Sequence, residues 1–237
     1  MIFRLKYLAK SNDRYFKLTK FKKHIIFGVL LRFFMKTDQN HNFTKLEILL
    51  ANQKNIFNLD DLGLLWTQND RKKISDLAGW YVDQGKLYRI KQGIFATKNI
   101  LESKKEEDFY ELAQKLVTPS YISYHTILSK AGINFQYYSS IFSCSLVNKE
   151  ILLGDKVCEF HKIEPELFFN PVGILVNNIG IAEACPERAL IDTWYINPSI
   201  GIDNPRGLNL EKLTEIAKIF NKAKINKNLK IIFDIKI

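Results

Sequence analysis

The chain of 237 residues is long enough for one large domain or two small ones with cores of their own. Hydrophobic residues make up 46% and charged residues 25%, globular proportions that exclude a mostly disordered chain. The formal net charge of +10 is unevenly placed: +8 falls in residues 1–34, +3 in 35–100 and −1 in 101–237, so a basic field covering the whole protein is excluded.

Residues 1–34 carry nine basic residues and one acid around an apolar run of about ten residues, Ile25–Leu31 with Phe33 and Phe34. A bilayer span needs roughly 20, and no small-residue cleavage site follows the run, so neither a membrane helix nor a secretory signal is expected. Three readings fit this extension: a basic interfacial or nucleic-acid-binding arm, a helix packed on the body, or residues upstream of a true start at Met35.

Residues 35–100 read as a winged helix-turn-helix. Thr44 with Glu47 three residues on is a capping-box pattern opening a first helix to Ala51. A second helix fits Leu59–Leu65 behind Asn58, and Trp66–Asn69 reads as a turn. A third runs from about Asp70 to Gln84, stopped by Gly85, with Ile74, Leu77, Ala78 and Tyr81 on one buried face. Lys86–Ile90 and Ile94–Thr97 around Lys91-Gln92-Gly93 then form a β-hairpin. In a winged helix the third helix enters the major groove by its N-terminal end, which makes Gln68, Asn69, Arg71, Lys72 and Lys73 the candidate DNA-binding residues. Arg89, Lys91 and Gln92 would lie along the phosphates. Asp76 and Asp83, on the exposed face of the same helix, would repel DNA, so docking must favour the helix start; a winged helix serving protein interaction is the alternative.

Beyond residue 100 the chain reads as a mixed α+β domain. A charged patch from Lys104 to Asp108 leads into a helix over Phe109–Leu116, and Ser123 can cap a helix over Tyr124–Lys130 that stops at Gly132. Strand-like runs cover Ile141–Val147, Val157–Ile163, Gly173–Asn177 and Ile181–Ala184. Pro186 opens a helix with Glu187 in its first turn and an apolar face of Ala189, Leu190 and Trp194. A further helix, Leu210–Phe220, precedes a β-like tail over Lys230–Ile235.

Chemistry is sparse in this half. There is no phosphate loop and no nucleophile elbow. Ser123 and His125 read as cap and helix surface rather than a catalytic pair, since no motif places an acid to orient the histidine. Glu187, Arg188 and Asp192 read as a structural ion-pair set anchoring a helix rather than a catalytic cluster. Asp155, Glu159 and Lys162 only loosely echo a nuclease spacing. Four scattered histidines lack zinc-site spacing, so no metal and no cofactor are expected. Three cysteines without a CxxC pair point to a reducing cytoplasm.

Three strings together resemble the AbiEi family, antitoxins of type IV toxin–antitoxin (abortive-infection) systems. GKLYRIKQGIFA at 85–96 is similar to the family's wing, YISYHTILSKAG at 121–132 to its Y-[IL]-S-x-x-[ST]-[AI]-L-x-x-x-G string, and PERALID at 186–192 to its P-E-R-A-L-[LI]-D string. The resemblance covers about residues 36–220, and through the last two strings it marks Tyr121, Ser123, Glu187, Arg188 and Asp192. It implies a non-enzymatic regulator whose winged helix binds its own promoter DNA and represses the operon, as a monomer or weak dimer. It also implies a C-terminal domain that counteracts a nucleotidyltransferase-type toxin without a stable complex. A winged-helix transcription factor unrelated to any toxin, and a nucleic-acid-processing enzyme, are the alternatives.

Overall fold

A computed structural model of the chain describes residues 44–235 apart from 104, 137, 154 and 155; the basic extension 1–34 and the start at Met35 lie outside the described residues. The described part is mixed α+β with two sheets. It begins α1 (Lys45–Leu50), β1 (Ile56–Asn58), α2 (Leu59–Trp66), α3 (Arg71–Asp83), β2 (Tyr88–Lys91) and β3 (Ile94–Ala96). Local chemistry sets these bounds. Asn58 and Asp61 satisfy each other's backbone N–H at 2.8 and 2.9 Å, a capping box that starts α2. The Asp70 carboxylate accepts from Lys72 N and Lys73 N to start α3, and Gly85, at φ +66°, follows its end. Ile74, Ala78 and Tyr81 of α3 are buried and Leu77 is half-buried, the face that the helical spacing predicts.

Strand β3 pairs antiparallel with β1 on one side and β2 on the other. Strand β1 is an addition to the sequence reading, because three residues carry too little alternation to announce a strand. Alternation nevertheless sorts the sheet's two faces. Phe57 and Phe95 enter a small core with Leu49, Leu62, Trp66, Ile74 and Tyr81. Ile56, Ile94 and Ala96 enter a second, larger core.

That larger core belongs to α4 (Glu106–Leu116), β4 (Ser120–Ile122), α5 (Tyr124–Lys130), β5 (Ser140–Ser145), β6 (Lys149–Leu153), β7 (Lys156–Lys162), α6 (Pro165–Phe168), β8 (Ile174–Val176), β9 (Ala182–Ala184), α7 (Pro186–Ile196), α8 (Leu210–Phe220) and α9 (Ala223–Phe233). The sheet order is β6-β7-β5-β4-β9-β8, with β5/β7 and β4/β9 parallel and the other neighbours antiparallel. Helix α4 ties the two sheets together. Its buried Glu111 carboxylate accepts from Ile56 N at 3.2 Å and Asn55 N at 3.4 Å, and Lys115 pairs with Asp61 at 2.5 Å. Helix α7 is buried from Glu187 through Trp194, on every side rather than on one apolar face.

Two expectations are corrected. The tail Lys230–Ile235 is not a strand: α9 continues to Phe233, because Ile225 and Leu229, four apart, are fully buried on the helix. The β-branched pair Ile231 and Ile232 faces outward and has no sheet to join. The helix predicted from Phe109 begins at Glu106, where three acids occupy the first turn beside the positive end of the dipole. Among the described residues no helix is long and apolar enough to cross a membrane.

Candidate nucleic-acid interface and the buried motif network

The first turn of α3 brings Arg71, Lys72 and Lys73 to the surface together, and all three are exposed. Lys72 stands opposite the buried face and has no ion-pair partner among the described residues. Arg71 meets Asp60 at 2.6 Å and Lys73 meets Asp70 at 4.0 Å; both pairs are largely exposed and so contribute little, leaving the cations available to another anion. Asn69 is exposed, whereas Gln68 turns back on the chain, its Oε1 accepting from Asn69 N and Asp70 N at 3.0 and 3.1 Å. That bonding shapes the entry to α3 and leaves only the Gln68 amide nitrogen free to donate. Lys91 and Gln92 are exposed at the β2–β3 turn, as the hairpin predicts.

Arg89 departs from its expected place beside Lys91 and Gln92. It pairs across the ladder with Phe95, which puts it on the helical face of the sheet, and a bulge at Ile90 separates it from Lys91. Its guanidinium lies 5.2 Å from the Phe95 ring centroid, and its Nη2 is 3.2 Å from where a Cβ on Gly79 would stand. Arg89 therefore reaches back over α3 instead of running along the hairpin tip. The sequence reading misses Gly79 as a contact point. Its signal is a lone glycine inside a helix, which costs roughly 1 kcal/mol against alanine and asks for a packing reason.

The family-like strings at 121–132 and 186–192 meet inside the larger core. Arg188 donates Nε–H to Asp192 Oδ1 at 3.0 Å, Nη1 to Asn170 O at 3.3 Å and Val172 O at 3.0 Å, and Nη2 to Tyr121 Oη at 3.0 Å and Leu167 O at 2.7 Å. All five guanidinium donors have acceptors. Asp192 Oδ2 accepts from Tyr121 Oη at 3.0 Å and Ser123 Oγ at 2.7 Å. Both charged side chains of the ion pair are wholly inaccessible. Burial pushes the Asp192 carboxyl up, against the Arg188 guanidinium and the Ser123 and Tyr121 hydroxyls that hold its charged form. Burial and the Asp192 charge push the Tyr121 phenol well above its usual range.

Ser123 is thus corrected: it occupies the N-cap position of α5, but its hydroxyl makes no capping bond and goes to Asp192. Glu187 stands apart from the network, accepting from Asn209 N at 2.9 Å and lying 3.8 Å from Lys212. Burial raises its carboxyl, but the Asn209 N–H, the Cys185 thiol and Lys212 outweigh it and hold the group below the usual value. Gly173, at φ +81°, presses on the network from the loop that Arg188 anchors, since a Cβ there would stand 2.8 Å from Arg188 Cβ.

The remaining candidates do not assemble into a catalytic site. Asp155 lies outside the described residues, while Glu159 and Lys162, three apart on β7, point to opposite faces. His125 stacks on Tyr138 at 4.4 Å, and burial, then His161, holds its imidazole below the usual value. Among the described residues no group of three or more histidine, cysteine or acidic side chains could hold a metal ion. No protein-family model matches this chain, and no curated protein matches it.

Proposed function

We propose that the chain is a DNA-binding antitoxin. A winged helix-turn-helix over residues 35–100 binds and represses the promoter of its own operon, and the domain over 101–237 counteracts a nucleotidyltransferase-type toxin in the cytoplasm. The observation that carries the DNA-binding half is the order α1–β1–α2–α3–β2–β3 closed by a β1-β3-β2 sheet, with unburied cations at the start of α3 and at the hairpin turn. In that arrangement the third helix enters the major groove and its dipole adds to the attraction for phosphate.

The antitoxin half rests on the resemblance of the three strings. It is supported by the convergence of Tyr121 and Ser123 with Arg188 and Asp192, about 70 residues apart in sequence, in one network. With every guanidinium donor bonded internally, that network fits a scaffold better than chemistry on a substrate, which favours a regulator over an enzyme. The competing reading, a winged helix used only for protein contacts, is favoured by the exposed Asp76 and Asp83 on the outer face of α3.

A gel-shift titration separates the two, using chains begun at Met1 and at Met35 on promoter and scrambled DNA at two salt concentrations. Preferential retention of promoter DNA by the Met35 chain supports repression through the winged helix. Equal, salt-sensitive retention that needs residues 1–34 defeats it. Growth rescue from a co-expressed nucleotidyltransferase toxin tests the other half. Point variants suit that assay better than a cut at residue 100, because Ile56, Ile94, Ala96 and Ile100 belong to the larger core.

A further inference from the structure

Among the described residues two arginines rest on phenyl rings, and they differ in what their donors meet. Arg188 lies 4.9 Å from the Phe220 ring centroid with all five N–H groups bonded. Arg89 lies 5.2 Å from the Phe95 ring, held on its other side by the notch at Gly79, and no donor of its guanidinium meets an acceptor among the described residues. Contact with the ring thus aims a planar fork of donors without engaging it, while the side chain as a whole stays exposed.

The position of the fork is as informative as its freedom. At 100° per residue Gly79 stands about 20° around the axis of α3 from Lys72, two turns further on. Arg89 therefore overhangs the same outer face that carries Lys72. Asp76 and Asp83, three residues before and four after Gly79, flank that spot and are exposed. Two carboxylates beside the fork disfavour a phosphate there, whereas they leave an uncharged base edge acceptable.

We propose that Arg89 reads a base, donating to N7 and O6 of a guanine in the major groove, and that Gly79 is glycine to admit it. This rests on the DNA-binding reading above and assigns Arg89 a role different from the phosphate contacts of Lys91. The helix-interior glycine is then the cost of a close approach by the arginine.

The test is a fluorescence-anisotropy titration of the full chain on its promoter duplex, on duplexes with each G·C pair changed in turn, and on scrambled DNA, at two salt concentrations. Arg89→Lys keeps the charge but loses the fork. It should weaken promoter binding about 5- to 150-fold, leave scrambled binding and the salt slope unchanged, and abolish the effect of changing one particular G·C pair. Gly79→Leu, which keeps a good helix former and fills the space the guanidinium occupies beside α3, should reproduce that loss, and serves if the lysine variant folds poorly. Promoter binding by both variants equal to the parent overturns the assignment, as does an equal loss on promoter and scrambled DNA. If Lys72→Ala impairs promoter preference while Arg89→Lys does not, this assignment alone fails. If the parent chain shows no promoter preference at all, the DNA-binding reading fails and takes the assignment with it.

Discussion

Asp192→Asn keeps the side chain's shape while removing its charge and turning one of its two acceptor oxygens into a donor, against Arg188 Nε–H or against the Tyr121 and Ser123 hydroxyls. Arg188 would then be a wholly buried cation without an anion. Breaking a buried pair from one side costs about 3–5 kcal/mol, a large share of the roughly 5–15 kcal/mol that holds a domain together. For a body of this size the melting temperature should fall by roughly 6–20 °C. Arg188→Met should cost more. It leaves Leu167 O, Asn170 O and Val172 O without the guanidinium donors they now accept from, at about 1–3 kcal/mol for each one left unsatisfied. The double variant Arg188→Met/Asp192→Leu should fall short of the summed single losses by roughly 0.5–3 kcal/mol, since neither partner is then left charged and alone. Urea unfolding followed by far-ultraviolet circular dichroism measures all three at fixed pH. An Asp192→Asn chain that loses less than about 1 kcal/mol, within the usual run of single changes, would refute the claim that an ionised Asp192 compensates Arg188. An Arg188→Met chain of parental stability that no longer rescues growth would refute the scaffold reading itself.

Gly173→Ala should destabilise by at least about 1–3 kcal/mol, from a left-handed backbone alone, because its Cβ also meets Arg188, Ile216 and Cys185 within 3.2 Å; thermal melting checks it. Lys72→Ala should weaken promoter binding by about 1–3 kcal/mol with little effect on scrambled DNA, while Lys91→Ala should weaken both alike and flatten the salt slope by roughly one unit. Equal effects of the two changes in the same titration would remove the distinction between base and phosphate contact. His125 and His161 are both held below the ordinary 6.5, chiefly by burial. The unfolded chain therefore takes up their protons first, and the stability they contribute is present above that value and lost as pH falls through it. Urea midpoints measured from about pH 7.5 down to about pH 5.5 should fall, and less steeply in a His125→Gln/His161→Gln chain.

Much of the first module is legible because its signals act within a few residues. Asn58 ahead of α2, the start of α3 near Asp70 and Gly85 after its end are read correctly, as is Pro186 opening α7 in the second, since caps and turns are made by neighbours along the chain; the reciprocal partner Asp61 is not read. The candidate residues at the start of α3 follow from the same helix boundary. The tail over 230–235 misleads for the complementary reason. Its isoleucines carry strand propensity, but two buried residues earlier in the segment, Ile225 and Leu229, commit the backbone to a helix whose other side those isoleucines decorate.

The sequence by itself determines most of the longer helices, several of their boundaries and the buried face of α3, together with the clustering of cations in its first turn. Tertiary structure alone decides the rest. Strands of three residues such as β1 and β4, which no alternation announces, owe their existence to hydrogen bonds with partners remote in the chain. The direction of Arg89 depends on register and a bulge, and the meeting of Tyr121 and Ser123 with Arg188 and Asp192 depends on α7 lying against β4 inside a shared core. A local pattern can state what a residue prefers over one turn or one strand pair. Which distant group will satisfy a buried charge, or leave an arginine's donors free, is set only when the chain has closed on itself.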